Sequence, residues 1–314
     1  MSAFYSKPDK KSAGQRTIGH NSTGSPLVAL LGLFILLGIT GCAAIPSPTL
    51  APTDSPTVFV PTFTPTLTQT IPSPPTATPT ATPTQAAGSI TAICSPLSGI
   101  DLEDLHSITS QGFTPPTPFL DDGHPAVDLA FFTFENLPSM MGHPVQSILP
   151  GKVVLAVEDR FPYGSMILIE TPLQWISAEL LPPVVIPTPI PLENINQFNP
   201  CTNNPLFESI PPISMAEDSK SVYVLYSHLL EKPPYDPGDE IACGQVIGAV
   251  GLTGNTVAEH LHLEIRIGPS EARFGTIAMY KPEATVEERY NYCIWSTSGR
   301  FQPVNPTLFW ETNP

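Results

Sequence analysis

The chain has 314 residues and seven histidines, and four of those histidines share three short segments with one aspartate. GHPAVDLAF carries His124 and Asp128, YVLYSHL carries His228, and GLTGNTVAEHLHLEIR carries His260 and His262. Imidazole and carboxylate are both zinc donors. Three such residues suffice for a tetrahedral site with one open corner, leaving two to handle protons around a bound water. Taken singly, each segment is weak evidence. An HxH pair also suits a polar sheet face, HxxxD is common by chance, and a histidine at a strand end is often just bonded to a neighbour.

Strand geometry brings some of these residues together. Alternate residues of a strand share a face, so His260, His262 and Glu264 point one way while Leu261, Leu263 and Ile265 point into a core. The even spacing of His124 and Asp128 also puts them on one face of an extended segment, with an i,i+4 helical pair as the alternative. The surrounding signals are mostly β. PVQSILPGKVVLAVED reads as two strands about a Pro150-Gly151 turn. Further strands are expected at Gly164–Glu170, Ser221–Leu229, Gln245–Gly251 and His260–Gly268, each rich in Val, Ile, Leu or Tyr and bounded by Gly or Pro. The Gly-rich GLTGNTVAE turn brings a loop close to the HxH face. One helix is expected at Ala284–Ile294, with Glu287 and Glu288 near its start. The fold class is therefore mainly β with an antiparallel core. A long Pro-rich insertion, about 171–220, interrupts it, and loops of that length are functional or irregular. The segment Ile90 to Asp122 is expected to pack on the β core.

The net charge of −15 argues against nucleic acid as a partner, because phosphate binding needs clustered Lys and Arg. The forty prolines are too many for a uniformly globular chain. Residues 1–41 have the layout of a secretory signal: Lys7, Lys10, Lys11 and Arg16, then the apolar run Leu27 to Thr40, then small residues. Cys42 stands where lipoprotein processing would make it the lipidated first residue. The expected location is extracytoplasmic, on a bacterial membrane through a lipid anchor, with an uncleaved membrane anchor as the other reading. Residues 42–87 are a Pro/Thr linker too poor in large apolar groups to build a core, with Pro or Thr at 24 of the 43 positions from Ala43 to Gln85. Residues 88–314 form the folded domain. Its four cysteines, Cys94, Cys201, Cys243 and Cys293, predict two disulfides in an oxidising compartment. Of the three pairings, the one joining the domain's ends is favoured: Cys94–Cys293 with Cys201–Cys243. Cysteine ligation of zinc lacks its usual CxxC spacing.

The order and flanks of GHPAVDLAF, GHPVQSILPGKVV, YSHL, PGDEIACGQVIGAVGLTG and HLHLE resemble the lysostaphin-like (LytM-type) zinc metalloendopeptidases. The resemblance covers about Gly123 to Gly268, with a trailing FQPVNPTLFW. It implies a barrel-sandwich-like, duplicated-hybrid β core and one Zn2+ ion held by His124, Asp128 and His262. His260 and His228 become the catalytic pair, with His260 as the base, and Glu264 a supporting residue. The implied substrate is the peptide of peptidoglycan cross-links or another extracellular peptide. The alternative is a non-catalytic module that activates another cell-wall hydrolase. Two departures stand out: Ala126 where the family has Gly, which could shift the ligand geometry, and the insertion, which borders the groove. His143 is expected at the surface or groove rim, and His106 and His20 have no role. The oligomeric state is not legible.

Overall fold

The computed structural model describes residues 86–132, 139–181, 186–279 and 283–311. These belong to the second of two units into which the chain divides, 77–314. The signal at 1–41, Cys42, His20 and all but the last two residues of the 42–87 linker lie outside the described residues. Among the described residues no helix is long and apolar enough to cross a membrane.

Among the described residues, ten strands build two antiparallel sheets. In chain order they are β1 (Thr109–Gln111), β2 (Ala126–Leu129), β3 (Pro144–Gln146), β4 (Gly151–Arg160), β5 (Gly164–Pro172), β6 (Ala216–Leu229), β7 (Glu240–Ile241), β8 (Val246–Ala249), β9 (Leu261–Ser270) and β10 (Gln302–Val304). The larger sheet runs β1-β2-β9-β6-β5-β4-β7, with β10 also on β9, and β3 pairs with β8 in the smaller sheet. The two strands expected about Pro150-Gly151 therefore form in separate sheets, because β4 takes β5 and β7 as partners.

The central strands are buried on both faces, which explains their near-continuous apolar runs. Leu261, Leu263, Ile265 and Ile267 of β9 and Val222, Val224 and Tyr226 of β6 face one core. That core is completed by Ile90, Leu97, Leu105 and Ile108, so the segment before β2 packs against the sheet as expected. Tyr223, Leu225, Met166 and Leu168 face a second core, filled by Trp295, Ile294, Phe274 and Phe301. Trp295 and Ile294 come from α2 (Val286–Ser296), which starts two residues after the expected point. There Thr285 and Glu288 form a reciprocal capping box. Two further short helices, α1 (Leu192–Phe198) and α3 (Thr307–Glu311), accompany it where a single helix was expected.

β5 and β6 pair directly, so the insertion is an enlarged hairpin loop, residues 173–215. It is partly folded. Leu180 and Leu181 reach the first core, while Phe207, Ile210 and Ile213 lie on the second. The disulfides are Cys94–Cys243 and Cys201–Cys293, which overturns the expected pairing of Cys94 with Cys293 and Cys201 with Cys243. The sheet itself separates the expected partners. Cys94 hydrogen-bonds to the Ile148 carbonyl on the first-core side, whereas Cys201 belongs to the second core and Cys293 packs against it. One bridge staples the N-terminal segment to the β7–β8 turn, and the other staples the insertion to α2.

Candidate metal centre

β2 and β9 lie side by side with Asp128 opposite His262 and Ala126 opposite Glu264. Val127 and Leu129 turn into the first core, so Asp128 turns to the other face, beside His262. Asp128 Oδ1 lies 2.9 Å from His262 Nδ1 and 3.2 Å from His124 Nε2. A zinc with ligands at about 2.0–2.1 Å in a tetrahedron separates its donors by about 3.3 Å. His124, Asp128 and His262 thus have the chemistry and the spacing to hold such an ion, and His228, His260 and His262 form a second converging group. Ala126 does not disturb this arrangement. It is a buried strand residue outside the left-handed region, so its methyl group needs no glycine backbone.

His228 reaches the site by a device that alternation does not reveal. Two residues of β6, Ser227 and His228, lie opposite Met166 alone between the paired positions Ile167↔Tyr226 and Ser165↔Leu229. This bulge puts His228 at φ 59°, a left-handed conformation in which His is several-fold enriched among non-glycine residues. The bulge re-aims the ring into the cleft, where it meets His260 with centroids 4.7 Å apart. The 252–259 loop then locks it, as His228 Nδ1 donates to the Thr253 carbonyl at 2.8 Å. Thr253 is itself held, donating to the Leu229 carbonyl and accepting from the Ser165 amide, both at 2.8 Å. Gly164 and Gly254 allow this approach. Both have positive φ, and a Cβ on either would overlap backbone of the other's segment.

Backbone carbonyls set three tautomers. His124 Nδ1 donates to Gly112 at 3.0 Å and His260 Nδ1 to Ala258 at 2.8 Å, in addition to the His228 bond. Each of these rings therefore offers a lone pair at Nε2. Burial, helped by the neighbouring His262 and His260, pulls the His228 pKa down to about 3, so it is neutral at physiological pH. Burial works to raise the Asp128 pKa, but His124 and His262 as hydrogen-bond partners outweigh it and hold the carboxyl well below the usual range. Burial likewise opposes protonation of His262, yet Asp128 and Glu264 together lift its pKa to about 9.

Beneath His262 lies a polar floor. Tyr163 Oη donates to Glu264 Oε2 at 3.0 Å, Trp295 Nε1 donates to Tyr163 Oη at 3.2 Å, and Arg266 pairs with Glu264 Oε1. Burial pushes the Glu264 carboxyl up, but Arg266 first and then His262 outweigh it and hold it below its ordinary value. The cleft above measures roughly 750 Å³ and takes in His124, Asp128, His228, His260, His262 and Glu264. All five expected site residues therefore meet. His143 lies outside the lining; it bonds to the Ser98 carbonyl at 2.9 Å and stacks edge-on with Phe131. Sequence reasoning missed Thr253, Gly112 and Ala258, whose carbonyls act regardless of side chain, and Trp295, which only the packing of α2 brings near.

The fold and this cluster define a mainly β domain with a His/Asp metal-ligand geometry. Residues 213–273 match the model of Peptidase family M23, the family that the sequence motifs resemble. The matched stretch contains His228, His260 and His262; His124 and Asp128 precede it. Among solved structures, the chain is similar to the catalytic domain of the antimicrobial peptidase lysostaphin from Staphylococcus simulans, at 22% identity over 55% of this chain and 87% of that one, with a TM-score of 0.29. It is also similar to a zinc-containing peptidase from Vibrio cholerae, at 19% identity over 50% of this chain, with a TM-score of 0.28. The chain spans 32% of that protein's length. A third match is the catalytic domain of the prophage-encoded M23 protein EnpA from Enterococcus faecalis, at 15% identity over 53% of this chain and 85% of that one, with a TM-score of 0.29.

Proposed function

We propose that the protein is a zinc-dependent metalloendopeptidase that hydrolyses peptide bonds in peptidoglycan cross-links or other extracellular peptides. The observation that carries this reading is the convergence of His124 Nε2, Asp128 Oδ1 and His262 Nδ1 beside the two Nε2 lone pairs of His228 and His260, in one open cleft. His124, Asp128 and His262 would hold the metal. Zinc supplies a Lewis acid that polarises a peptide carbonyl and brings the pKa of water toward neutrality. His260 Nε2 accepts a proton from the attacking water, and its Nδ1–H, fixed on the Ala258 carbonyl, keeps that lone pair facing the cleft. The proton taken up by His260 then goes to the leaving amine by way of the Nε2 of His228, whose ring lies 4.7 Å from that of His260 and which, held neutral by burial, does not retain it.

The proposal extends to the whole chain: signal at 1–41, lipidated Cys42, linker at 42–87, and a domain at 88–314 that the linker holds off an extracytoplasmic membrane face. Mass spectrometry of the mature N-terminus tests the anchor, and an unmodified Cys42 would refute it. The activity is tested by zinc content and by cleavage of purified peptidoglycan, comparing the wild type with His262→Ala and His260→Ala. The expected result is one zinc in the wild type and in His260→Ala, little in His262→Ala, and cleavage by the wild type only. Zinc without cleavage of any wall preparation would favour the module that activates another hydrolase.

A further inference from the structure

His262 Nε2 is the one nitrogen of the histidine cluster that is buried without a hydrogen-bond partner among the described residues. The other three rings each spend an N–H on a backbone carbonyl. Facing the orphan, 3.8 Å away, is Glu264 Oε2. Glu264 is fully buried and tightly held. Tyr163 donates to its Oε2 and Arg266 to its Oε1. Arg266 is fixed in turn, donating to the Phe301 carbonyl at 2.9 Å and the Ser296 carbonyl at 3.3 Å, with its guanidinium 5.0 Å over the Trp295 ring.

We infer that Glu264 is the positioning residue that selects the tautomer of His262 required for metal binding. This rests on the zinc reading above. An imidazole that ligates through Nδ1 must carry its proton on Nε2. That N–H then needs an acceptor, and a carboxylate, which only accepts, favours this tautomer over the reverse. The Arg266–Tyr163–Trp295 frame holds the carboxylate in place, so residues 295–301 reach the metal site through two intermediates. A buried Glu–Arg pair with a purely packing role would leave zinc affinity untouched.

Glu264→Gln separates the two. Arg266 demands an oxygen at its side of the amide, which turns the NH2 toward His262 Nε2. That geometry favours a lone pair on Nε2 and a proton on Nδ1, the form that cannot ligate there. Zinc affinity of the full-length chain, measured by competition with a chelating indicator, is expected to fall about 10–100-fold. Circular dichroism should remain unchanged. The double variant Glu264→Leu/Arg266→Met removes both charges together, leaving no unpaired buried ion, and is expected to lose the same factor. In the zinc-loaded wild type, 15N imidazole spectra should show His262 protonated at Nε2. Variants that bind zinc within about threefold of the wild type, or an unprotonated His262 Nε2, would overturn the assignment to Glu264. A wild type that takes up no zinc would overturn the functional reading along with it.

Discussion

Metal uptake by the zinc-free protein should be steeply pH-dependent in a window set by His262. Its pKa of about 9 means that the ring carries an extra proton at pH 7, which must leave before Nδ1 can ligate. Two units of pKa correspond to about 2.7 kcal/mol, or about 100-fold in affinity. Asp128 is ionised and His228 neutral throughout this range, so neither adds to the slope. Zinc affinity should therefore rise about tenfold per pH unit from 7 to 9 and then flatten. Competition against an indicator of known pH response measures the slope, and calorimetry in buffers of different ionisation enthalpy counts the protons released. The same raised pKa stabilises the zinc-free fold most below pH 6.5 and is lost as pH rises toward 9, so the melting temperature without metal should fall over that interval. An affinity flat from pH 7 to 9 would refute the electrostatic account of His262.

Further expectations follow from the same geometry. His228→Ala should lower kcat about 10²–10⁴-fold while zinc content stays near one per chain, because in the proposed mechanism the residue handles protons rather than metal. Ala126→Gly should lower stability by about 0.5–1 kcal/mol without raising activity, since position 126 is ordinary buried strand; a gain in activity or zinc affinity would show that the methyl does strain the site. Replacing Cys201 and Cys293 together with Ser should cost about 2–4 kcal/mol in denaturant unfolding, and peptidoglycan assays would show whether the freed insertion alters cleavage preference.

Much of the site was legible because strand alternation has a rigid period. Once HLHLEIR is a strand beside the one that carries Asp128, the shared face of His262 and Asp128 follows. Two expectations met a tertiary context that short spacings do not encode. Ala126 looked damaging because a glycine in a motif reads as a φ > 0 position, but here the residue is an extended, paired one with room for a methyl. The favoured disulfide pairing joined the ends of the domain in sequence, which says nothing about the sheet that stands between Cys94 and Cys293.

The amino-acid sequence alone determined the antiparallel β class and the place of the insertion, because these depend on local periodicity and composition, and it pointed to the five residues of the candidate metal centre through the order and flanks of motifs that resemble one family. The tertiary structure decided the rest. The bulge that turns His228 into the cleft, the carbonyls that set each tautomer, the bridge from the insertion to α2, and the Tyr163–Glu264–Arg266 floor all join residues distant in the chain. Their partners are chosen by packing, which no short spacing encodes.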